Sequence, residues 1–275
     1  MSLLDPFTHA VAAVLAGAHA GLRGLGADPT SGPTWVLCLA LVVVVVRLCV
    51  LPLAVHGVRL AHANARARPH LQELAARFKG RTDPDSLREQ MAERRRIGAE
   101  HGVSRMGCLP LLLQVPVWIG LYHVVRDAAG GVPTGLLDAS LVASFREATL
   151  GGVPLASAGY LGGGAGHLAV VAGLAGSAAL LSYVTQRVFV RQNTPALVTP
   201  EGTRSELAEA MGTTQRVLPL VSAGGLLLAG GVVPVALLVY WVASQAWTLA
   251  WSAAVWRWWP TPGTPAAALA AARAG

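Results

Sequence analysis

Charge is what this chain has least of: 13% of its 275 residues are charged, against 53% hydrophobic. That balance excludes an ordinary soluble domain of this length and assigns the polypeptide to lipid. Lysine is nearly missing, with Lys79 alone, so the net charge of +7 is carried by arginine. The bias follows a GC-rich genome as readily as any selected chemistry and supports no functional reading. Cysteine is scarce too. Cys38, Cys49 and Cys108 lie in or beside apolar stretches, with no CxxC pair and no histidine at ligand spacing, which excludes a disulfide framework and a zinc site. Nothing in the pattern calls for a cofactor or for nucleic-acid specificity. The basic start that a cleaved signal peptide needs is also lacking, since Asp5 stands there. Residues 6–24 read instead as an uncleaved helix on the membrane surface, with Phe7, Val11, Val14, Ala18 and Leu22 at helical spacing inside an extracytoplasmic amphipathic segment, 1–33.

What is present is a series of apolar runs. A spanning helix takes about 20 predominantly apolar residues, and 34–56, 106–126 and 167–186 meet that length. The run from 217 to 256 is too long for one crossing, and Gly230-Gly231-Val232-Val233-Pro234 interrupts it with turn chemistry, so it divides into spans 217–230 and 234–256. The first of these two would reach only about 21 Å, short of a hydrocarbon core of about 30 Å. Local thinning of the bilayer, or a tip buried in protein, would accommodate it.

Arginines set the orientation. His56–Arg105 carries eleven Arg and Lys, 187–216 four and the segment after Trp256 two; the opposite loops, including 127–166, carry only Arg23, Arg126 and Arg146. Seventeen against three puts the amino terminus outside and the carboxyl-terminal tail, 257–275, in the cytoplasm. The basic segment 57–105 reads as an antiparallel helical hairpin, with Leu71, Leu74 and Phe78 on one arm and Leu87 and Met91 on the other. Asp83 and Pro84 form an N-cap and first-turn pair for the second arm, and Gly102 stands where that arm should end. A solvated, topology-setting face explains its charges more simply than a docking surface. Its length of about fifty residues keeps open a contact with nascent chain, ribosome or headgroups.

One residue breaks the apolar pattern. Arg47 follows five consecutive valines and stands eight residues before Val55, about 12 Å of helix. An arginine at such depth costs roughly 2.5 to 3.5 kcal/mol on insertion scales and normally faces water or a partner. No Asp or Glu lies within any of the five spans, so a carboxylate partner on another span is excluded. Snorkelling over that distance would strain even an arginine, and a hydrated, cationic, unpaired pocket is the better reading. Such a pocket attracts an acidic group in need of shielding from lipid.

With Arg47 ahead of Leu51-Pro52-Leu53, with Cys108-Leu109-Pro110 followed by Gln114, Pro116, Leu121 and Tyr122, and with Pro234 followed by Leu238, Tyr240-Trp241 and Ser244, the chain resembles the YidC/Oxa insertase family over nearly its full length. The resemblance implies an all-α membrane protein of the bacterial inner membrane: five transmembrane helices around a hydrophilic groove open to cytoplasm and lipid, with a cytoplasmic helical hairpin that recruits substrates. It implies a groove lined by Arg47, Gln186 and Trp241, to which Tyr240, Gln245 and Gln114 are added as polar candidates. Its implied partners are nascent membrane proteins and the bilayer, with the ribosome and the Sec translocon beyond them. The lack of an extra amino-terminal span and large outer domain points to the Gram-positive form. Two features depart from the family: Gln245 replaces the usual asparagine, and the Ala/Pro-rich tail carries only Arg273 after Pro260. The second leaves the hairpin as the ribosome contact.

The expected action is non-enzymatic. An apolar substrate segment enters from the cytoplasm, its acidic flank meets Arg47, and the apolar part passes along spans three and five into lipid. Two other classes compete. A small-anion transporter or channel would use the same cationic pocket but should show internal repeats with broken helices, and none is found. An intramembrane serine protease would draw on Ser222, Ser244, His123 and His167, yet both histidines fall at the outer helix ends, far from a nucleophile–base pair.

Overall fold

The structure is a computed structural model that describes residues 5–81, 83–103, 109–161, 163–194 and 206–274, with side chains except at 109–114, 206–216 and 274. Cys108 therefore lies outside the described residues, as do the side chains of Leu109, Pro110 and Gln114. The described chain is mostly helical and forms two compact units, one built from 1–50, 110–185 and 219–250, the other from 51–109, 186–218 and 251–275.

The first unit contains α1 (Asp5–Gly24), the start of α2 (Gly32–Arg77), most of α4 (Leu109–Ala129), α5 (Ala139–Glu147), strands β1 (Thr149–Leu150) and β2 (Val153–Pro154), α6 (Gly164–Val184), the end of α7 (Glu206–Gly230) and most of α8 (Val235–Trp258). They share one core. Val11 and Leu15 of α1, Trp35, Leu39, Val42 and Val43 of α2, Leu121 and Val124 of α4, Phe145 of α5 and Val235–Tyr240 of α8 all lie in it. The apolar stripe of α1 is thus turned onto protein, with Val14, Ala18 and Leu22 packed at its margin. On α6 the buried face begins with His167 and Val171 and continues in small residues, Ala175, Ala178, Ala179 and Ser182. Lipid tails are as apolar as leucine, so close approach of backbones is what such a face contributes. The opposite surface of α2 exposes Leu37, Leu41, Val45 and Leu48 at helical spacing, as a lipid-facing stripe does.

The 127–166 segment is more structured than an open loop. Asp138 caps α5, its carboxylate accepting from the Leu141 amide at 2.9 Å and the Ser140 hydroxyl at 2.7 Å. Val142 and Phe145 then fall on the buried side. β1 and β2 pair antiparallel, with Leu150 opposite Val153. Gly151 and Gly152 at φ +58° and +79° supply the two left-handed positions that a two-residue hairpin turn demands. Those two hydrogen bonds, first the Ser140 hydroxyl and then the Leu141 amide, hold the Asp138 carboxyl below the usual carboxylate range. A lowered folded-state pKa means the cap is fully effective above the usual range and is lost as pH falls through the lowered value. Asp138→Ala should therefore speed amide exchange in α5 at neutral pH, and the gap from wild type should close in strong acid; a gap independent of pH would show that the charge has no part in the cap.

In the second unit, α2 continues to Arg77 and turns into α3 (Pro84–Glu100). Asp83 accepts from the Ser86 amide at 2.8 Å, with Pro84 first in the helix, and Gly102 follows the end of α3 at φ +71°. Ala67, Leu74 and Phe78 pack against Ile97, with Leu71 and Val103 at the edge. Late α3 thus meets the last turns of α2, where the His70 and His101 rings also lie 5.0 Å apart, and the arms are antiparallel. Ion pairs Arg88–Asp85, Arg96–Glu93 and Arg96–Glu100 stay within α3. The chain from Gln186 to Asn193 and the end of α8 are tied together by the Trp256 indole donating to Gln192 Oε1 at 2.9 Å and the Thr261 amide donating to Asn193 Oδ1 at 2.7 Å. The tail is not a loose strand: α9 (Pro265–Ala274) brings Arg273 over the Trp256 ring, 4.6 Å from its centroid.

Three boundaries differ from those read in the sequence. α2 runs unbroken through both the first span and the first hairpin arm, because 57–77 holds good helix formers and its Pro69 lies inside the helix. α7 begins at Glu206, eleven residues before the apolar run. Its 25 residues make about 37 Å, so the helix itself is not short. Beyond Val184 the helix widens into a π-type turn over Thr185–Val190, a feature without a sequence signature.

Candidate functional site

The site grows from the helical repeat of α2. Leu39 and Val43 hold the buried face, and Arg47 comes one turn later, half-buried, with Leu48 on the exposed stripe beside it. On α8, Tyr240, Ser244 and Thr248 recur every four residues and so share one face. Tyr240 is buried in the main core, which fixes the rotation of α8 and presents Ser244 and Thr248 to Arg47. Arg47 Nη2 donates to Ser244 Oγ at 2.9 Å and to Thr248 Oγ1 at 3.1 Å. Thr248 Oγ1 in turn donates to the Ser244 carbonyl at 2.8 Å, so one hydroxyl links the guanidinium to the helix backbone.

These acceptors are neutral. They orient the guanidinium and lower the cost of its burial, but they do not cancel its charge. The ion pairs Arg88–Asp85, Arg96–Glu93 and Arg96–Glu100 lie in α3, and among the described residues no carboxylate pairs with Arg47. A guanidinium has five N–H donors in a planar fork. The two bonds to α8 both leave from Nη2, so among the described residues the Nε and Nη1 donors are not taken up by the protein. The arginine expected to stand unpaired is thus hydroxyl-bonded while still cationic.

Of the other expected groove residues, Tyr240 is in the core, and Trp241 packs at its margin about 100° around α8 from Tyr240. Gln245 is half-buried on α8, one residue past Ser244. Gln186 lies in the π-type turn of the second unit. Gln114 is in α4, with its side chain outside the described residues. The sequence singles out Ser244 in the motif after Pro234 and as a protease candidate, not as a partner of Arg47, and gives no notice of Thr248; the Ser-x-x-x-Thr spacing, four residues after Tyr240, is the available signal. Ser244 is engaged by Arg47, and His167 Nε2 donates to the Gly159 carbonyl at 2.8 Å. Neither stands in a nucleophile–base pair. Replacing Ser244 and Thr248 together by alanine should lower stability in detergent by about 1 to 2 kcal/mol, the scale of hydrogen bonds between helices in a membrane or to a charged group. Each single variant should cost less; an unchanged double variant would mean the bonds do not form.

A family model described as "60Kd inner membrane protein" matches residues 27–260. The chain belongs to that family. It is the YidC/Oxa family that the sequence resembles. Three relatives give the breadth of the match. The "Membrane protein insertase YidC" of Streptomyces avermitilis is 29% identical over 255 residues, 88% of this chain and 55% of its own. That of Bifidobacterium longum is 24% identical over 257 residues, 89% of this chain and 72% of its own. That of Corynebacterium efficiens is 33% identical over 164 residues, 56% of this chain and 41% of its own. The chain spans about half the length of the curated relatives it matches first. Membership of this family makes it an all-α membrane protein. Among the described residues, α2 and the stretch Gly164–Val190 are long and apolar enough to cross a bilayer, with Val217–Gly230 as a shorter apolar helix.

Proposed function

We propose that this protein is a membrane protein insertase, a non-enzymatic chaperone that receives hydrophobic segments of nascent proteins and releases them into the lipid bilayer. The observation that carries the reading is Arg47, held on α8 by Ser244 and Thr248 with no carboxylate partner among the described residues. The names of its relatives agree with it. In this reading five transmembrane helices surround a groove open to the cytoplasm, with Arg47, Trp241, Gln245 and Gln114 along it. The amino terminus is outside, and the α2–α3 hairpin and the tail are cytoplasmic.

The geometry performs the task in two ways. The fixed guanidinium offers an acidic flank a charge-assisted hydrogen bond within the membrane, which lowers the barrier to its entry. Transfer of the apolar part into lipid, at about 25 cal/mol per Å² of surface removed from water, drives the step without nucleotide. Purified protein in vesicles should insert a short single-span substrate with ATP and GTP absent, while passing no chloride above the protein-free leak. Chloride flux without insertion would favour an anion channel and overturn the reading.

A further inference from the structure

The connections at one end of the first unit carry an unexpected load. The links α1–α2, α4–α5, β2–α6 and α7–α8 project Leu25, Val132, Leu136, Leu161 and Val232, each between 54% and 89% exposed. Glycine adjoins every one of them in sequence: Gly24-Leu25-Gly26, Gly131-Val132, Gly135-Leu136, Leu161 before three glycines, Gly231-Val232. A lone exposed leucine is ordinary on a protein surface. One or two from each of these four connections is not.

The links are bound into one surface. The Val235 amide donates to the Ser157 carbonyl at 2.8 Å, Ser144 Oγ donates to the Pro29 carbonyl at 2.6 Å, and the Tyr160 hydroxyl donates to the Leu227 carbonyl. Several of their backbone groups are paired within the chain, as lipid requires. The amides of Leu25, Val132 and Val232 donate to the Leu22, Asp127 and Ala229 carbonyls at 3.1, 2.8 and 3.0 Å. Asp28 accepts from Thr30, and Asp138 accepts from Ser140 and Leu141. Beside Leu161 an open cleft of about 500 Å³ is lined by Gly152, Pro154, Ser157, Ala158 and His167, with no acidic residue, lysine or arginine on its described wall. The apolar surface is also continuous with the spanning helices: Leu228, 80% exposed at the end of α7, precedes Val232 by one helical turn.

We infer that this end of the first unit does not stand in water but is sunk into the adjoining lipid leaflet, its apolar tips reaching the upper acyl chains. The occupant of the surface is lipid, and the inference rests on the chain's being a membrane protein, independently of any role for Arg47. In the full chain, with Cys38, Cys49 and Cys108 replaced by alanine, Leu25→Cys, Leu136→Cys, Leu161→Cys and Val232→Cys would each carry an environment-sensitive fluorophore. Ser86→Cys on α3 is the aqueous control. In phosphatidylcholine–phosphatidylglycerol vesicles the four tip labels should show blue-shifted emission, strong quenching by nitroxides near the top of the acyl chain, and loss of most iodide quenching relative to the control. Iodide quenching equal to the control would overturn the inference. So would shielding from both iodide and nitroxide, which would mean that protein covers the tips. Insertion measured on the same variants reports separately on the insertase reading.

Discussion

Arg47→Ala should slow insertion of a short substrate with an acidic flank by roughly two orders of magnitude, because an unshielded charge in a bilayer costs roughly 2.5 to 3.5 kcal/mol and each 1.36 kcal/mol is tenfold in rate. Arg47→Lys should stay within a few-fold of wild type. Lysine keeps the charge and can still donate to Ser244 and Thr248, though without the planar fork. Equal losses in both variants would show that guanidinium geometry, not charge, is what matters. Equal retention would remove the residue from the mechanism. Both variants are to be compared at matched protein levels, since Arg47 is also half-buried and contributes packing.

Gly32→Ala should be the most damaging single methyl in the first unit. Gly32 opens α2 with its Cα against β1, and a Cβ built there would lie 1.7 Å from the Thr149 carbonyl oxygen and 2.7 Å from its carbonyl carbon. Both are backbone atoms of a strand held by its own hairpin, so relief requires moving α2 or β1 bodily. A loss of about 3 kcal/mol, the upper end of overpacking costs, is expected. Gly21→Ala on α1 is the control: nothing lies within 4 Å of its built Cβ, and in an exposed helix alanine should gain roughly 0.5 to 1 kcal/mol. Thermal unfolding in detergent separates the two, and an unchanged midpoint for Gly32→Ala would contradict the close approach.

The parts of this molecule legible in sequence are those with strong, long-range patterns. Apolar runs coincide with stretches of α2, α4, α6, α7 and α8, Asp83-Pro84 stands at the start of α3, and the single arginine after five valines is the one that bonds Ser244 and Thr248. What was not legible is short or relational. α5 is nine residues with one capping aspartate, and β1–β2 is two residues a side around Gly151-Gly152. Both are stabilised by the core they close more than by their own propensity. The early start of α7 was hidden because Glu206–Arg216 lacks an apolar run, and α9 because an Ala/Pro-rich tail reads as linker until Arg273 is seen over Trp256. Thr248 became part of the site only once Tyr240 fixed the rotation of α8. A sequence lists hydroxyls along a helix but does not say which side faces the arginine.

The most direct test is a charge cycle between protein and substrate. Insertion into vesicles is measured for wild type and Arg47→Ala, each with a substrate whose flanking carboxylate is present or replaced by its amide. The account predicts a large effect of the arginine with the acidic flank and almost none with the neutral one. An equal loss on both flanks would contradict it, because Arg47 would then be supporting the fold instead of meeting the charge.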